Sequence, residues 1–362
     1  MNLLEPGPYR LAAEWAPRSS TWIAWPHERS DWPGKFSPVH WVFAEVVRIL
    51  SEHEQVNILV NDSHIEDRVI DRLVKSGVDL TYVLFHLIET DRGWLRDTGP
   101  MIVQADSKAG LDSPAAPRAL TWNFNGWAKY ENHKRDARIA ESIADRLQIE
   151  RSAPDYMFEG RRIRFTLEGG AIDVDGLGTL LTTEECLLSP IQERNPGLDR
   201  SAVERILAAE LGVSRIVWLN RGIVGDDTHG HVDDIARFVA PGVIVAAYEN
   251  TSTDENYEPL AENLDRLRRA RDYAGVPFEI VTLPMPRPVY FDEQRLPASY
   301  ANFYIASKVV LAPTFNDPAD RIALQTLESL FPDHEVVGVY CRDLVLGLGT
   351  LHCMTRDIPR FN

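Results

Sequence analysis

Cysteine is scarce in this chain. Three residues in 362, Cys186, Cys341 and Cys353, are too few and the wrong parity for a disulfide framework. The count fits a reducing compartment. Positive charge is also short, with 38 Lys and Arg against 54 Asp and Glu and a formal net charge of −16. That balance disfavours nucleic acid and anionic membrane as partners and favours a small cationic ligand. Long apolar runs are missing. The N-terminal MNLLEPGPYRLAAEW lacks the apolar stretch of a secretory leader, and no later run is long enough to span a bilayer. A cytoplasmic protein is the expectation, and a homo-oligomer stays open. With 44% hydrophobic and 25% charged residues, the chain is expected to bury a sizeable core.

What is abundant is titratable chemistry in one place. The stretch 225–234 reads GDDTHGHVDD and runs straight into the mostly apolar 235–240. Such a cluster costs solvation unless its members pair, bind metal or bind substrate. Two readings compete. His229, His231 and Asp233 alternate and would share one side of a strand as metal ligands, the basis of a metallohydrolase alternative. In the other, His231 is an acid–base and Asp233 a cation-holding carboxylate beside a nucleophile elsewhere. A polar loop with capping aspartates is the plain alternative.

Periodicity predicts a recurring unit. Strand 21–26, helix 39–50, strand 56–60, a helix capped by Asp62 or Ser63 through Lys75, and strand 80–85 come first. Strand pairs are expected at 99–103 with 119–125, 163–174 with 178–188, 232–239 with 243–248, and 300–307 with 309–313. The Ser/Pro/Gly/Ala loop between the first two reads as mobile. Each pair is followed by a helix (from an Asn132 cap to Leu147, then 199–211, 258–274 and 319–330), and strands 215–219, 278–283 and 335–341 follow the last three helices. A fifth pair closes only if the last strand, 349–355, meets the first. The expectation is α/β: one catalytic domain over 1–362, a five-bladed propeller of strand–strand–helix–strand units closed by the chain ends. A doubly wound sheet would lack the hairpins.

Each pair opens on polar residues: Arg96-Asp97-Thr98, Glu168-Gly169-Gly170, His231-Val232-Asp233, Asn302, and His352-Cys353. Around one axis they converge on a thiol, imidazoles and carboxylates. That kit suits attack on a guanidinium. Carboxylates grip the planar cation through paired N–H bonds. A thiolate adds to the central carbon, and an imidazole protonates the leaving nitrogen and then activates water. A bound cation also favours the thiolate. Trp94 reads as a wall of the cation pocket and Asn302 as a further substrate contact. The plain readings are packing for Trp94 and a satisfied turn amide for Asn302. Cys186 and Cys341 read as core residues.

The segments GWLRDTGP (93–100), LEGGAIDVDGLGTLLTTEECLL (167–188), GDDTHGHVDD (225–234), SYANFYIA (299–306) and LGTLHCMT (348–355), with AEWAPRSSTWIAWPHERSDWPGKF (13–36), resemble the agmatine deiminase family. This family belongs to a guanidino-modifying superfamily that includes bacterial peptidylarginine deiminases. The resemblance implies a five-bladed propeller, no cofactor and no metal. It implies hydrolysis of agmatine to N-carbamoylputrescine and ammonia, as in polyamine biosynthesis, through a thiouronium on Cys353. His231 would be the acid–base, Glu168 its orienter, and Asp97 and Asp233 the guanidinium grip. Peptidyl or free arginine is the alternative substrate, and a non-catalytic binding propeller the alternative outside catalysis. The chain departs from the family pattern at Leu348, where the family often has glycine, at His229, where Asn or Asp is usual, and at Arg356-Asp357, where glutamines are usual. Those departures bear on the far end of the substrate. Arg356, three residues past Cys353, reads either as a residue of the pocket mouth or as a surface arginine paired with Asp357.

Overall fold

The computed structural model describes residues 3–106 and 116–361. Residues 107–115 of the loop read as mobile lie outside that set. Among the described residues there are five sheets of three or four strands, plus two two-stranded hairpins. None of these sheets closes on itself. No helix of the described residues is long and apolar enough to cross a membrane.

The five larger sheets share one plan. A strand pairs antiparallel with a second, which lies parallel to a third reached through a helix. Asp173–Val174 pairs with Thr179–Thr183, then parallel with Arg215–Leu219. Ala236–Ala240 pairs with Val243–Tyr248, then with Glu279–Pro284. Tyr304–Ile305 pairs with Val309–Thr314, then with Glu335–Tyr340. Met101–Ala105 pairs with Arg118–Leu120, then with Glu150–Ser152, and Tyr9–Leu11 adds an outer edge. In the fifth sheet Thr355–Pro359 pairs antiparallel with Arg18–Ala24, which lies parallel to Gln55–Val60, itself parallel to Val83–Leu87. The two ends of the chain thus share one sheet.

Local chemistry explains the plan. Antiparallel neighbours need only a tight turn, whereas parallel ones need a crossover. Asp175 accepts the N–H groups of Leu177, Gly178 and Thr179, and Gly176 supplies the left-handed residue at φ 68°. Crossover helices start on carboxylate caps: Asp62 before Ser63–Lys75, Asp199 before Arg200–Leu211, and Asp317 before Pro318–Leu330 in a reciprocal pair with Asp320. Helix Phe36–Ser51 buries Val39, Phe43, Val46, Val47 and Leu50 against the last sheet. Trp41 of the same helix is exposed and lies under the Arg72 guanidinium.

Several boundaries move. Asn132 does not cap a helix; Ile139–Leu147 starts later, after a turn at Asp136–Arg138. Asp136 instead accepts the N–H groups of Asp91 and Arg92. Residues 161–164 pair with Asp155–Phe158 as a separate hairpin, and 184–188 turn helical on the Thr183 cap. A second unforeseen hairpin joins Val289–Phe291 and Gln294–Leu296. The segments 169–171, 232–234 and 351–354, expected as strand, are single helical turns leading into strands, and 95–98, just ahead of the strand expected from 99, is another. Alternation of apolar residues does not distinguish such a turn from one more strand step.

Candidate active site

Those helical turns carry several of the candidate site residues. Asp97 sits in the turn Leu95–Thr98, Asp233 in Val232–Asp234, and His352 and Cys353 in Leu351–Met354. Glu168 and His231 immediately precede their turns, and Asn302 lies two residues before its strand. A helical turn takes side chains out of the strand pleat and lets neighbouring residues face one point. The five segments meet there, with every one of these side chains buried.

His231 stands between two carboxylates. Its Nδ1 is 3.8 Å from Asp97 Oδ1 and its Nε2 is 3.9 Å from Glu168 Oε2. Neither ring nitrogen has a hydrogen-bond partner, nor do Glu168 Oε2 and Asp233 Oδ1. Buried polar atoms rarely stay unsatisfied except at functional sites. Burial alone would lower the imidazole pKa, but Asp97, with Cys186 and Glu168 close by, raises it well above its ordinary value. Burial would raise the Glu168 carboxyl, but Arg194 and His231 outweigh it and hold Glu168 down at about 2. Arg194 Nε donates to Glu168 Oε1 at 2.9 Å.

The other carboxylates are equally fixed. Asp97 accepts Gly170 N–H at 2.9 Å on Oδ1 and the Trp127 indole N–H at 2.8 Å on Oδ2. Asp233 Oδ2 lies 2.7 Å from His352 Nδ1, and His352 Nε2 lies 2.8 Å from Glu14 Oε2. Glu14 in turn takes Arg96 and Arg237, each at 2.9 Å. Burial raises the Asp97 pKa, with Asp233 and Glu168 adding to it. Asp233 is lowered because His352 and His231 outweigh its burial.

Cys353 Sγ is 3.1 Å from Asn302 Nδ2 and 3.7 Å from Asp233 Oδ2. Burial and the carboxylates of Asp233, Asp234 and Asp97 push its thiol pKa well up. Asn302 is engaged by protein on all sides. Nδ2 also donates to Asp234, and Oδ1 accepts from Thr350 and from the His352 N–H. The structure therefore places Asn302 against the thiol, and it is not part of the cavity wall. That cavity, about 450 Å³, is walled by Trp94, Asp97, Trp127, Gly349 and Cys353, with Asp31 also lining it.

Backbone must come very close here. A Cβ on Gly170 would sit 2.5 Å from His231 Nδ1 and 3.0 Å from Asp233 Oδ2. One on Gly349 would sit 2.9 Å from Cys353 Cβ. Two departures from the family pattern fall on left-handed backbone: Leu348 at φ 67° and His229 at φ 68°. Glycine is at ease there, and Asn or Asp next best.

Two expectations fail. His229, His231 and Asp233 do not form a ligand set. They lie in a loop and a helical turn, and His229 Nε2 faces Ser189 Oγ at 3.1 Å. Among the described residues, one group could hold a metal ion: Glu168, Cys186 and His231. Arg356 is neither at the pocket mouth nor on the surface. It is 5% exposed, inside strand Thr355–Pro359, and Nε donates to Pro100 O. Asp357 pairs with Arg96 instead. Burial, with Arg96 nearby, lowers the Arg356 pKa to about 10. Glu14, Arg194, Trp127 and the position of Cys186 had no local signal in the sequence; their partners are hundreds or dozens of residues away.

The sequence profile described as Porphyromonas-type peptidyl-arginine deiminase matches residues 10–359. An agmatine deiminase of Pseudomonas fluorescens (strain SBW25) is 35% identical over 374 aligned positions, spanning 97% of this chain and 95% of its own. Among solved structures, the agmatine deiminase of Enterococcus faecalis superposes with TM-score 0.85 at 28% identity, covering 98% of this chain and 96% of its own. That of C. jejuni gives 0.82 at 27% identity, covering 97% and 96%. An amidinotransferase from Microseira wollei, 13% identical with TM-score 0.52, shares the fold alone.

Proposed function

The chain belongs to the Porphyromonas-type peptidyl-arginine deiminase family and is an enzyme acting on the guanidino group; from there we propose that it hydrolyses agmatine to N-carbamoylputrescine and ammonia through a covalent intermediate on Cys353. The observation that carries the reading is His231 poised between Asp97 and Glu168 beside a cavity that Cys353 and Asp97 wall.

In this mechanism Asp97 and Asp233 hold the guanidinium plane. Asp233 Oδ1 is free for this because His352 occupies Oδ2. The cation offsets the carboxylates that keep the Cys353 thiol protonated, and the thiol ionises as substrate binds, its proton passing to solvent. Sγ forms a bond to the central carbon, and the C=N π electrons move onto nitrogen. The His231 imidazolium protonates the leaving nitrogen, the C–N bond breaks and ammonia departs, leaving a thiouronium. Neutral His231 then takes a proton from water as its oxygen attacks. The C–S bond breaks with its electrons on sulfur, the proton left on the ureido oxygen passes to that thiolate, and the neutral ureido product leaves. Glu168, held by Arg194, favours the protonated imidazole needed for the first half.

The cavity supports a dicationic substrate. Asp31 and Asp227 line it alongside Asp97, and Asp31 Oδ2 is buried without a partner. Arg92 also lines it, bound to Asp31. That guanidinium is the one observation favouring free arginine, whose carboxylate it would meet. For the fold, the five sheets are read as blades around one axis, forming a single catalytic domain over the whole chain. The strand pairing of the two termini supports that reading. Purified protein incubated with agmatine, free arginine and an arginyl peptide tests the substrate. Ammonia and ureido product should form fastest from agmatine. No turnover of any of the three would overturn the proposal.

A further inference from the structure

Cys186 was expected to be plain core, and it is buried in the middle of the short helix Glu184–Leu188. The structure gives it polar company. Its Sγ, one imidazole nitrogen of His231 and one carboxylate oxygen of Glu168 all lie within 4.8 Å of one another. We propose that Cys186, His231 and Glu168 form an inhibitory site for a soft divalent cation of the zinc or cadmium type.

Three features favour this. First, the donor set of thiolate, imidazole and carboxylate is the one that borderline and soft cations select. Second, the donors that face the gap are unspent. His231 Nε2 and Glu168 Oε2 have no hydrogen-bond partner, although both residues are at least 99% buried. Third, groups that could serve as an outer shell stand nearby. Asp97 Oδ1 lies on the Nδ1 side of the imidazole at 3.8 Å, so an Nδ1–H directed at Asp97 leaves the Nε2 lone pair for a cation. Arg194 engages Glu168 through Oε1 and leaves Oε2 facing inward. The separation of Nε2 and Oε2, 3.9 Å, must contract by about half an ångström for tetrahedral binding.

Binding displaces two protons, one from the Cys186 thiol and one from the His231 imidazolium. The Arg194 cation opposes it. Because none of the three donors is open to solvent, binding should set in slowly and depend on fluctuation of the site. A cation held there takes the imidazole out of proton transfer. The inhibition rests on the role proposed above for His231; the binding does not.

The test is cadmium titration of the full-length protein, read by thiolate-to-metal ultraviolet absorbance and by metal per chain after gel filtration. Wild type and Cys353→Ala should each bind one cadmium with a thiolate signal. Cys186→Ala and Cys186→Ser should bind at least about tenfold more weakly. Zinc should inhibit wild type with slow onset, and each Cys186 variant should lose that sensitivity relative to its own metal-free rate. Binding lost in Cys353→Ala but kept in Cys186→Ser would place the metal on the other thiol and overturn the site. So would the absence of stoichiometric binding in wild type. If Cys186→Ala does not fold, Cys186→Ser and Glu168→Gln carry the binding test, where retained wild-type affinity in both would refute it.

Discussion

His352 Nδ1 lies 2.7 Å from Asp233 Oδ2. Through its other nitrogen the same imidazole reaches Glu14, which Arg96 and Arg237 hold. The carboxylate proposed to grip the guanidinium is therefore aimed by a residue adjacent to the nucleophile and by one near the N-terminus. His352→Phe keeps the ring volume but removes both bonds. It should lower kcat/KM about 30- to 4000-fold, the equivalent of the roughly 2–5 kcal/mol lost when a buried charged contact loses its partner. Steady-state kinetics beside a thermal melt checks this; a wild-type kcat/KM would show that Asp233 needs no such support.

Gly170 offers a sharper geometric test. A single added methyl would overlap the His231 ring nitrogen at 2.5 Å. Gly170→Ala should cut kcat at least 100-fold, because a displacement of about 1 Å at a reacting group costs that much. Far-UV circular dichroism should be unchanged. Near-normal turnover would mean that His231 can shift freely.

Thiol reactivity reports the acidic surroundings of Cys353. With its pKa raised by burial and by Asp233, Asp234 and Asp97, the free enzyme should react slowly with iodoacetamide at pH 7 and faster as pH rises. A non-hydrolysable guanidinium or amidinium that leaves access to sulfur should speed the reaction. Cys353→Ala should abolish turnover, while Cys341→Ala keeps it. Fast alkylation of the free enzyme at pH 6 would contradict the ionisation scheme.

Substrate choice should follow Asp31, with Arg356 having little effect. Asp31→Asn removes a carboxylate from the cavity wall and should raise KM for agmatine more than for arginine. Arg356→Gln should leave the agmatine-to-arginine ratio of kcat/KM unchanged, since Arg356 is packed behind the site against Pro100. A ratio altered tenfold by Arg356→Gln would return that residue to the pocket.

Stability should fall on the acid side through His86. Its imidazole stacks on Trp22 at 4.5 Å and contacts Asn57, and burial, with Arg146 nearby, lowers its pKa to about 4. Between about pH 4 and 6.5 the unfolded chain binds a proton that the folded one does not, so stability rises with pH across that window. The contribution lost between pH 7 and pH 5, reduced by solvent screening, is about 1 kcal/mol. Urea midpoints at both pH values, compared with those of His86→Gln, should show a shallower pH dependence in the variant.

The sequence by itself determined the repeating unit. Turn residues such as Asp175-Gly176 and carboxylate caps such as Asp62, Asp199 and Asp317 act within a few residues, so their signals are local and readable. It also singled out the candidate site residues, because a thiol, imidazoles and carboxylates recur where each strand pair begins. The tertiary structure decided what these groups do to one another. Helical turns at 95–98, 169–171, 232–234 and 351–354 bring side chains from five segments to one point, which strand alternation could not have placed. Glu14 reaches His352 across 338 positions, and Arg356 is drawn inside the closing strand pair. Hydrogen bonds and Coulomb forces act through space over a few ångströms, so a pairing between distant residues leaves no trace in the spacing of either one.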